Sequence, residues 1–256
     1  MDPSTGAQTP VAQGGMFVEP SGVAIGADGQ LFVADLEAFQ SGGVIAVDPA
    51  SGEQRKVAAA TVFHRPFGLA MGTDGQLVVA YTAGEHGGDV MRVDPATGAH
   101  HAVAPGVRFM LPTDVAIDGS SVLVADADIA GISSQVHRIT EGVGDSLLVG
   151  KAPGGAVLTG VAVERDGMVI VASNSNGATR HLFRFHRTTG ELLHTFTGDV
   201  LVAPFGVTID ASGGIVVADV VSGIVRVDAG TGALSVVSSG QHLVSPMGVA
   251  VAAAAS

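Results

Sequence analysis

Cysteine is absent from the 256 residues, which excludes disulfides, thiolate metal sites and a cysteine nucleophile. Tryptophan is absent too, and tyrosine occurs once, against 37 glycines. A core without large aromatic anchors must be built from many small, β-branched contacts. Basic residues are scarce: 12 Lys and Arg stand against 24 Asp and Glu, for a formal net charge of −12. Such a field repels a phosphate backbone, which argues against nucleic acid as a partner and makes cations the natural counter-species. It also keeps in solution a chain that is 46% hydrophobic. Long apolar runs are missing; VAVAAAA at 249–255 is far too short to span a bilayer. No basic segment followed by an apolar one opens the chain as an export signal would. The expectation is a soluble protein without membrane contact, either cytoplasmic or the mature form of a secreted one.

What the chain does contain is a period. Segments that begin P-x-G, or a close variant, start at Pro20, Pro66, Pro112, Leu158, Pro204 and Pro246. Their third residues are Gly22, Gly68, Asp114, Gly160, Gly206 and Gly248, spaced by 46, 46, 46, 46 and 42 residues. A fixed period of this size marks a repeat architecture. Each repeat carries four apolar runs of strand length; in the first they are GVAIG, QLFVAD, VIAVD and QRKVAA, separated by ADGQ, QSGG and DPASG. None is long enough for a helix of 3.6 periodicity. Four antiparallel strands per repeat, a to d, form a blade of a β-propeller.

A second ruler runs through Gly6, Gly52, Gly98, Gly144, Gly190 and Gly232, each ending a c–d turn and each 16 residues before the next P-x-G third position. The amino-terminal MDPSTG therefore reads as a c–d turn, and residues 1–12 as an outer strand d. The carboxyl-terminal segment 246–256 reads as an inner strand a, so the two ends share a closing blade. The expected fold is all-β: a six-bladed propeller with full blades at 20–65, 66–111, 112–157, 158–203 and 204–245. Strands b and c of the closing blade have no counterpart, so that blade is incomplete, and the alternative is a five-bladed ring with two spare strands. Unpaired edges there offer a route to oligomerisation.

The pattern P-x-G-V-A-V-x-x-D-G-x-(L/I)-x-V-A-D, followed by I-x-R-V-D-P-x-T-G, resembles the NHL repeat and the related propellers of the SMP-30/gluconolactonase and streptogramin-lyase families. The resemblance runs from Met1 to Val251. It implies a propeller fold, with functions that range from metal-dependent lactonases and esterases through lyases to protein- or RNA-binding modules. The lactonase-like branch implies a divalent cation (Ca²⁺, Mn²⁺ or Zn²⁺) held in the central channel by an acid before the first inner strand, by Asn in the middle blades and by Asp in a later P-D-G. Glu19 matches the first of these. Thr113, Thr159 and Phe205 stand where the others would be. A site of oxygen ligands needs several hard donors converging.

Residues that break the repeat are the better functional candidates. Strand b closes on Asp35, Tyr81, Asp126, Ser173 and Asp219, where a recurring carboxylate suits a turn that needs an acceptor. Arg92, Arg138, Arg184 and Arg226 recur on strand c and suit pairing with neighbouring acids. The b–c loops differ in length and sequence, and loops on one rim of a rigid ring are the usual place for a site. His64 and His86 are the candidate acid–base residues. Arg65, Phe67, Tyr81, His86, Asn174 and Phe205 are candidates for binding a ligand at the channel mouth and rim. Glu19, Asp114, Asp126 and Asp219 are the candidate oxygen ligands for a cation. Asp114 stands out because it replaces Gly at an inner position close to the axis.

Three functions follow. The leading one is a binding propeller that takes a small molecule or a protein partner at the channel mouth and rim. The second is a divalent-metal-dependent hydrolase or lyase with a rearranged site, the metal polarising a carbonyl or activating water. The third is a repeat scaffold, natural or engineered, without a site.

Overall fold

A computed structural model of the chain describes residues 1–3, 5–59, 64–82, 87–128, 134–143, 146–174 and 180–252. Its strands form five sheets of four. Blade one holds β1 (Pro20–Ile25), β2 (Leu31–Asp35), β3 (Gly43–Val47) and β4 (Gln54–Ala59). Blade two holds β5 (His64–Met71), β6 (Leu77–Thr82), β7 (Gly88–Val93) and β8 (His100–Ala102). Blade three holds β9 (Pro112–Asp118), β10 (Ser121–Asp126), β11 (Gln135–Thr140) and β12 (Ser146–Lys151). Blade four holds β13 (Leu158–Val163), β14 (Val169–Asn174), β15 (Arg180–Phe185) and β16 (Leu192–Phe196). Blade five holds β17 (Pro204–Ile209), β18 (Ile215–Asp219), β19 (Gly223–Val227) and β20 (Leu234–Ser238). In each blade consecutive strands pair antiparallel, in sequence order. No helix among the described residues is long and apolar enough to cross a membrane.

Where neighbours cover both faces of a blade, a middle strand can be buried throughout rather than on alternate residues. All five residues of GVIAV in β3 are buried, as are all five of IVVAD in β18. The core is therefore a series of layers between blades. Ala34, Val44 and Ala46 of blade one meet Leu77, Val79 and Val93 of blade two. Val169, Val171, Phe183 and Phe185 of blade four meet Leu123 and Val136 of blade three. Burial of each Val, Leu or Phe among them contributes about 1.5–3 kcal/mol, and many small contacts replace the missing aromatic anchors.

The c–d turn works as its sequence suggests. Asp48 Oδ1 accepts the Ala50 and Ser51 amides, both at 2.8 Å, and those bonds hold its carboxyl below the usual range. Gly52 then takes a φ of 74°, which an L side chain rarely adopts. Asp94 and Asp228 repeat the arrangement. So does the amino terminus, where Asp2 Oδ1 accepts Thr5 N and Gly6 N donates to Asp2 O. The strand-c arginines clamp the a–b turn of their own blade, through Arg92–Asp74, Arg138–Asp118, Arg184–Glu164 and Arg226–Asp210.

The expected six blades are corrected to five. Among the described residues neither the sixth inner segment nor the sixth outer segment forms a strand. Gly206 N donates to Met247 O at 2.8 Å, and a Cβ on Gly248 would stand 2.7 Å from Ser21 O, so residues 246–250 close the inner ring between blades five and one. On the outside Ser238 Oγ donates to Gly6 O at 2.6 Å, and Gln8 Nε2 donates to Ser238 Oγ at 2.9 Å. A strand exists only through a ladder with a partner. No strands b and c stand between these two segments to supply one. Six inner motifs therefore make five blades, as in the alternative count.

Candidate functional site

The inner strands enclose a channel of about 390 Å³. Its wall is set by position in the repeat. The fifth residue of each inner segment is small (Ala24, Ala70, Ala116, Ala162, Thr208 and Ala250), and the sixth is aliphatic or Met, as in Ile25 and Met71. The second residue is a hydroxyl or a large apolar group: Ser21, Thr113 and Thr159, or Phe67, Phe205 and Met247.

The hydroxyls are committed to holding the ring. Ser21 Oγ donates toward the carbonyls of Pro66 and Phe67, Thr113 Oγ1 toward Leu158 O and Thr159 Oγ1 toward Pro204 O, each bridging to another blade. Phe67 and Phe205 remain as apolar lining.

Asp114 is the ionisable residue in this wall. The repeat puts Gly here because neighbouring inner strands approach closely: a Cβ on Gly160 or Gly206 would collide with the backbone of the next segment. Asp114 fits because its carboxylate lies over Gly68, which has no side chain to obstruct it. Asp114 Oδ2 accepts Val161 N at 2.9 Å, across to blade four. Asp114 is half-buried: the neighbouring inner strands crowd its carboxyl, and its remaining surface opens on the channel. That burial, only partly offset by amide bonds from Val161 and Val115, pushes its pKa up to about 7.

The other sequence candidates do not join it. Glu19 is exposed and outside the channel wall; its amide donates to Asp35 Oδ1. Asp219 is fully buried and accepts four backbone amides, Val202 and Ala203 on Oδ2, Val221 and Ser222 on Oδ1. Asp35 accepts four in the same way, from Val18, Glu19, Glu37 and Ala38. Asp126 accepts Leu111 N at 2.8 Å. These acids tie the b–c loop to the segment entering strand a. Among the described residues no three His, Asp or Glu side chains are grouped to hold a metal ion. The residues present thus do not fit the cation site that the lactonase resemblance implies.

On the rim, His64 is exposed, and its carbonyl accepts the Thr82 hydroxyl at 3.0 Å. Arg65 takes a φ of 49° and pairs with the exposed Glu37. Tyr81 faces Asp89 across the β6–β7 ladder. Burial and Asp89 raise the Tyr81 pKa, and burial raises that of Asp89, with Arg108 opposing both. Asn174 ends β14, its amide donating to Val157 O at 3.0 Å. His86 lies outside the described residues.

Sequence reasoning missed one constellation. His137 lies 3.9 Å from Asp126 and 3.4 Å from the Ser146 hydroxyl, with Phe109 edge-on to its ring. Burial lowers the His137 pKa. The three come from β10, β11 and β12, and only the ladder register brings them together. None of them lines the channel.

Neither a family model nor a curated protein matches the sequence. Solved structures do resemble the fold. A gluconolactonase from Xanthomonas campestris aligns over 86% of this chain and 75% of its own, at 18% identity and a TM-score of 0.67. A virginiamycin B lyase from Staphylococcus aureus aligns over 90% and 73%, at 14% identity and a TM-score of 0.65. A chain of a nidogen/laminin complex aligns over 84% and 78%, at 12% identity and a TM-score of 0.68. At these identities the likeness shows a propeller fold, shared by enzymes and by a protein-binding module, and does not select a branch.

Proposed function

We propose that this propeller binds a small, largely apolar molecule carrying one basic nitrogen, held in the central channel with the nitrogen on Asp114. The observation that carries this reading is a carboxyl, the one ionisable group among the described lining residues, in a channel of about 390 Å³ whose wall mixes apolar side chains with hydroxyl and backbone polar groups. That volume is within the range of metabolite-sized sites, where a few polar groups fix orientation and apolar walls supply affinity. Phe67, Phe205 and Met247 offer flat apolar surface. A cation suits the carboxylate and the acidic protein as a whole.

Binding is coupled to a proton. The ammonium pairs with ionised Asp114, so affinity falls about tenfold per pH unit below the carboxyl pKa of about 7 and is level above it. The test is calorimetry with a panel of alkyl- and arylalkylamines, which are ammonium ions throughout this range, and their isosteric alcohols at pH 6, 7 and 8. Amines bind preferentially, more tightly at pH 8 than at pH 6, and Asp114→Asn removes the preference. Equal binding of amine and alcohol, or an unchanged preference in Asp114→Asn, would refute the reading.

A second reading is acid–base catalysis on an ester or lactone. Its support is the propeller likeness to a gluconolactonase and a lyase, together with a carboxyl able to exchange a proton near neutrality. Turnover of aryl esters or lactones that disappears in Asp114→Asn would favour it over simple binding.

A further inference from the structure

The seam between blades five and one holds a second cavity, of about 340 Å³. Val11 and Ala12 line one side, Pro246 and Met247 another, and blade one supplies Leu31 and Val33. The repeat gives a direct comparison for that wall. The residues equivalent to Leu31 and Val33 are Leu77 and Val79 in blade two, Val122 and Val124 in blade three, Val169 and Val171 in blade four, and Ile215 and Val217 in blade five. All eight are buried, at no more than 1% exposure. Leu31 and Val33 alone remain partly exposed, and so does Val23, whose counterparts Leu69, Val115, Val161 and Val207 are buried. Exposed Val11 and Val244 line the same cavity.

We infer that this groove docks a β-hairpin presented by a partner polypeptide, with small β-branched residues facing blade one. The occupant follows from the neighbouring interfaces. In blades two to five, strands b and c of the preceding blade cover these positions. Here the inner segment 246–250 and the outer segment 6–12 lie ready on either side, without ladder partners between them. In every complete blade two strands stand between a and d, each about 4.8 Å from the next. A hairpin is therefore the element that supplies the two missing ladders, in the manner of β-strand addition. The net charge of −12 favours a hairpin with basic residues on its solvent side.

The experiment uses the full chain and a labelled peptide of residues 213–228, this protein's own b–c hairpin, carrying a lysine tail. Fluorescence anisotropy should show saturable binding, and residues 8–12 and 247–251 should gain hydrogen-exchange protection. Val33→Glu and Leu31→Glu, at sites already partly open to water, should each weaken binding at least tenfold while thermal unfolding stays cooperative. A peptide with Ser in place of its groove-facing Val and Ile should not bind. No binding, equal binding to Val33→Glu, or binding without new protection would overturn the inference. So would a homodimer that Val33→Glu dissociates, since a second copy would then be the occupant.

Discussion

Replacing Asp114 by Asn should change how stability depends on pH while leaving the fold intact. The substitution keeps size and the acceptor for Val161 N, and the amide fits over Gly68 as the carboxylate does. In the unfolded chain Asp114 loses its proton near 3.8; in the folded chain it holds the proton until about 7. Between these values the native state carries more protons than the unfolded one. Stability is therefore complete below about pH 4, falls as pH rises, and levels off above about 7. At about 1.4 kcal/mol per pH unit the full loss has a ceiling of about 4 kcal/mol, of which about 2–3 kcal/mol falls between pH 5 and pH 8. Urea unfolding of both proteins at pH 5, 6, 7 and 8 measures it. The histidines titrate in both, so the difference between the two curves isolates Asp114. With a slope of about 3 kcal/mol per molar urea, the wild-type midpoint should drop by roughly 1 M relative to the Asn variant across that range. Parallel curves would mean that channel water solvates the carboxylate and that the proton-coupled binding argued from its raised pKa is wrong.

Four further substitutions, at three sites, test the frame of the fold. Asp219→Ala removes the acceptor of four backbone amides in a fully buried position and should cost about 3–5 kcal/mol in urea unfolding. Asp219→Asn, which keeps one acceptor oxygen, should cost about half as much; a loss below about 1 kcal/mol for Ala would remove the structural role assigned here. Gly190→Ala forces a side chain into a φ of 69° and against the Val149 carbonyl, and should cost about 2–4 kcal/mol. Gly106→Ala, at a φ of 93° with open space around it, should cost about 1 kcal/mol, so similar melting temperatures for the two would refute the close-packing argument.

Features fixed by local geometry were legible in the sequence, and features made by lateral pairing were not. The c–d turn is local: Asp48 and Gly52 determine it within five residues, so the same letters at Asp2 and Gly6 identified a turn even at the chain's edge. The recurring Asp at the end of strand b was legible for the same reason, since its carboxylate serves amides in fixed places around it. Counting blades from inner motifs failed because a blade is a ladder, and the motif at Pro246 has none. The channel shows the limit from the other side. Asp114 was visible as an exception to the glycine rule, but its raised pKa depends on what the other inner strands place around it: apolar groups, and hydroxyls already committed to carbonyls. The His137 contacts with Asp126 and Ser146 are set by the register of three strands, and no spacing in the sequence encodes that register. A repeat therefore announces its scaffold in the positions it keeps. Its chemistry has to be sought where a kept position is lost and the neighbouring blades have no way to compensate, which in this chain means Asp114 in the ring and Leu31 and Val33 at the seam.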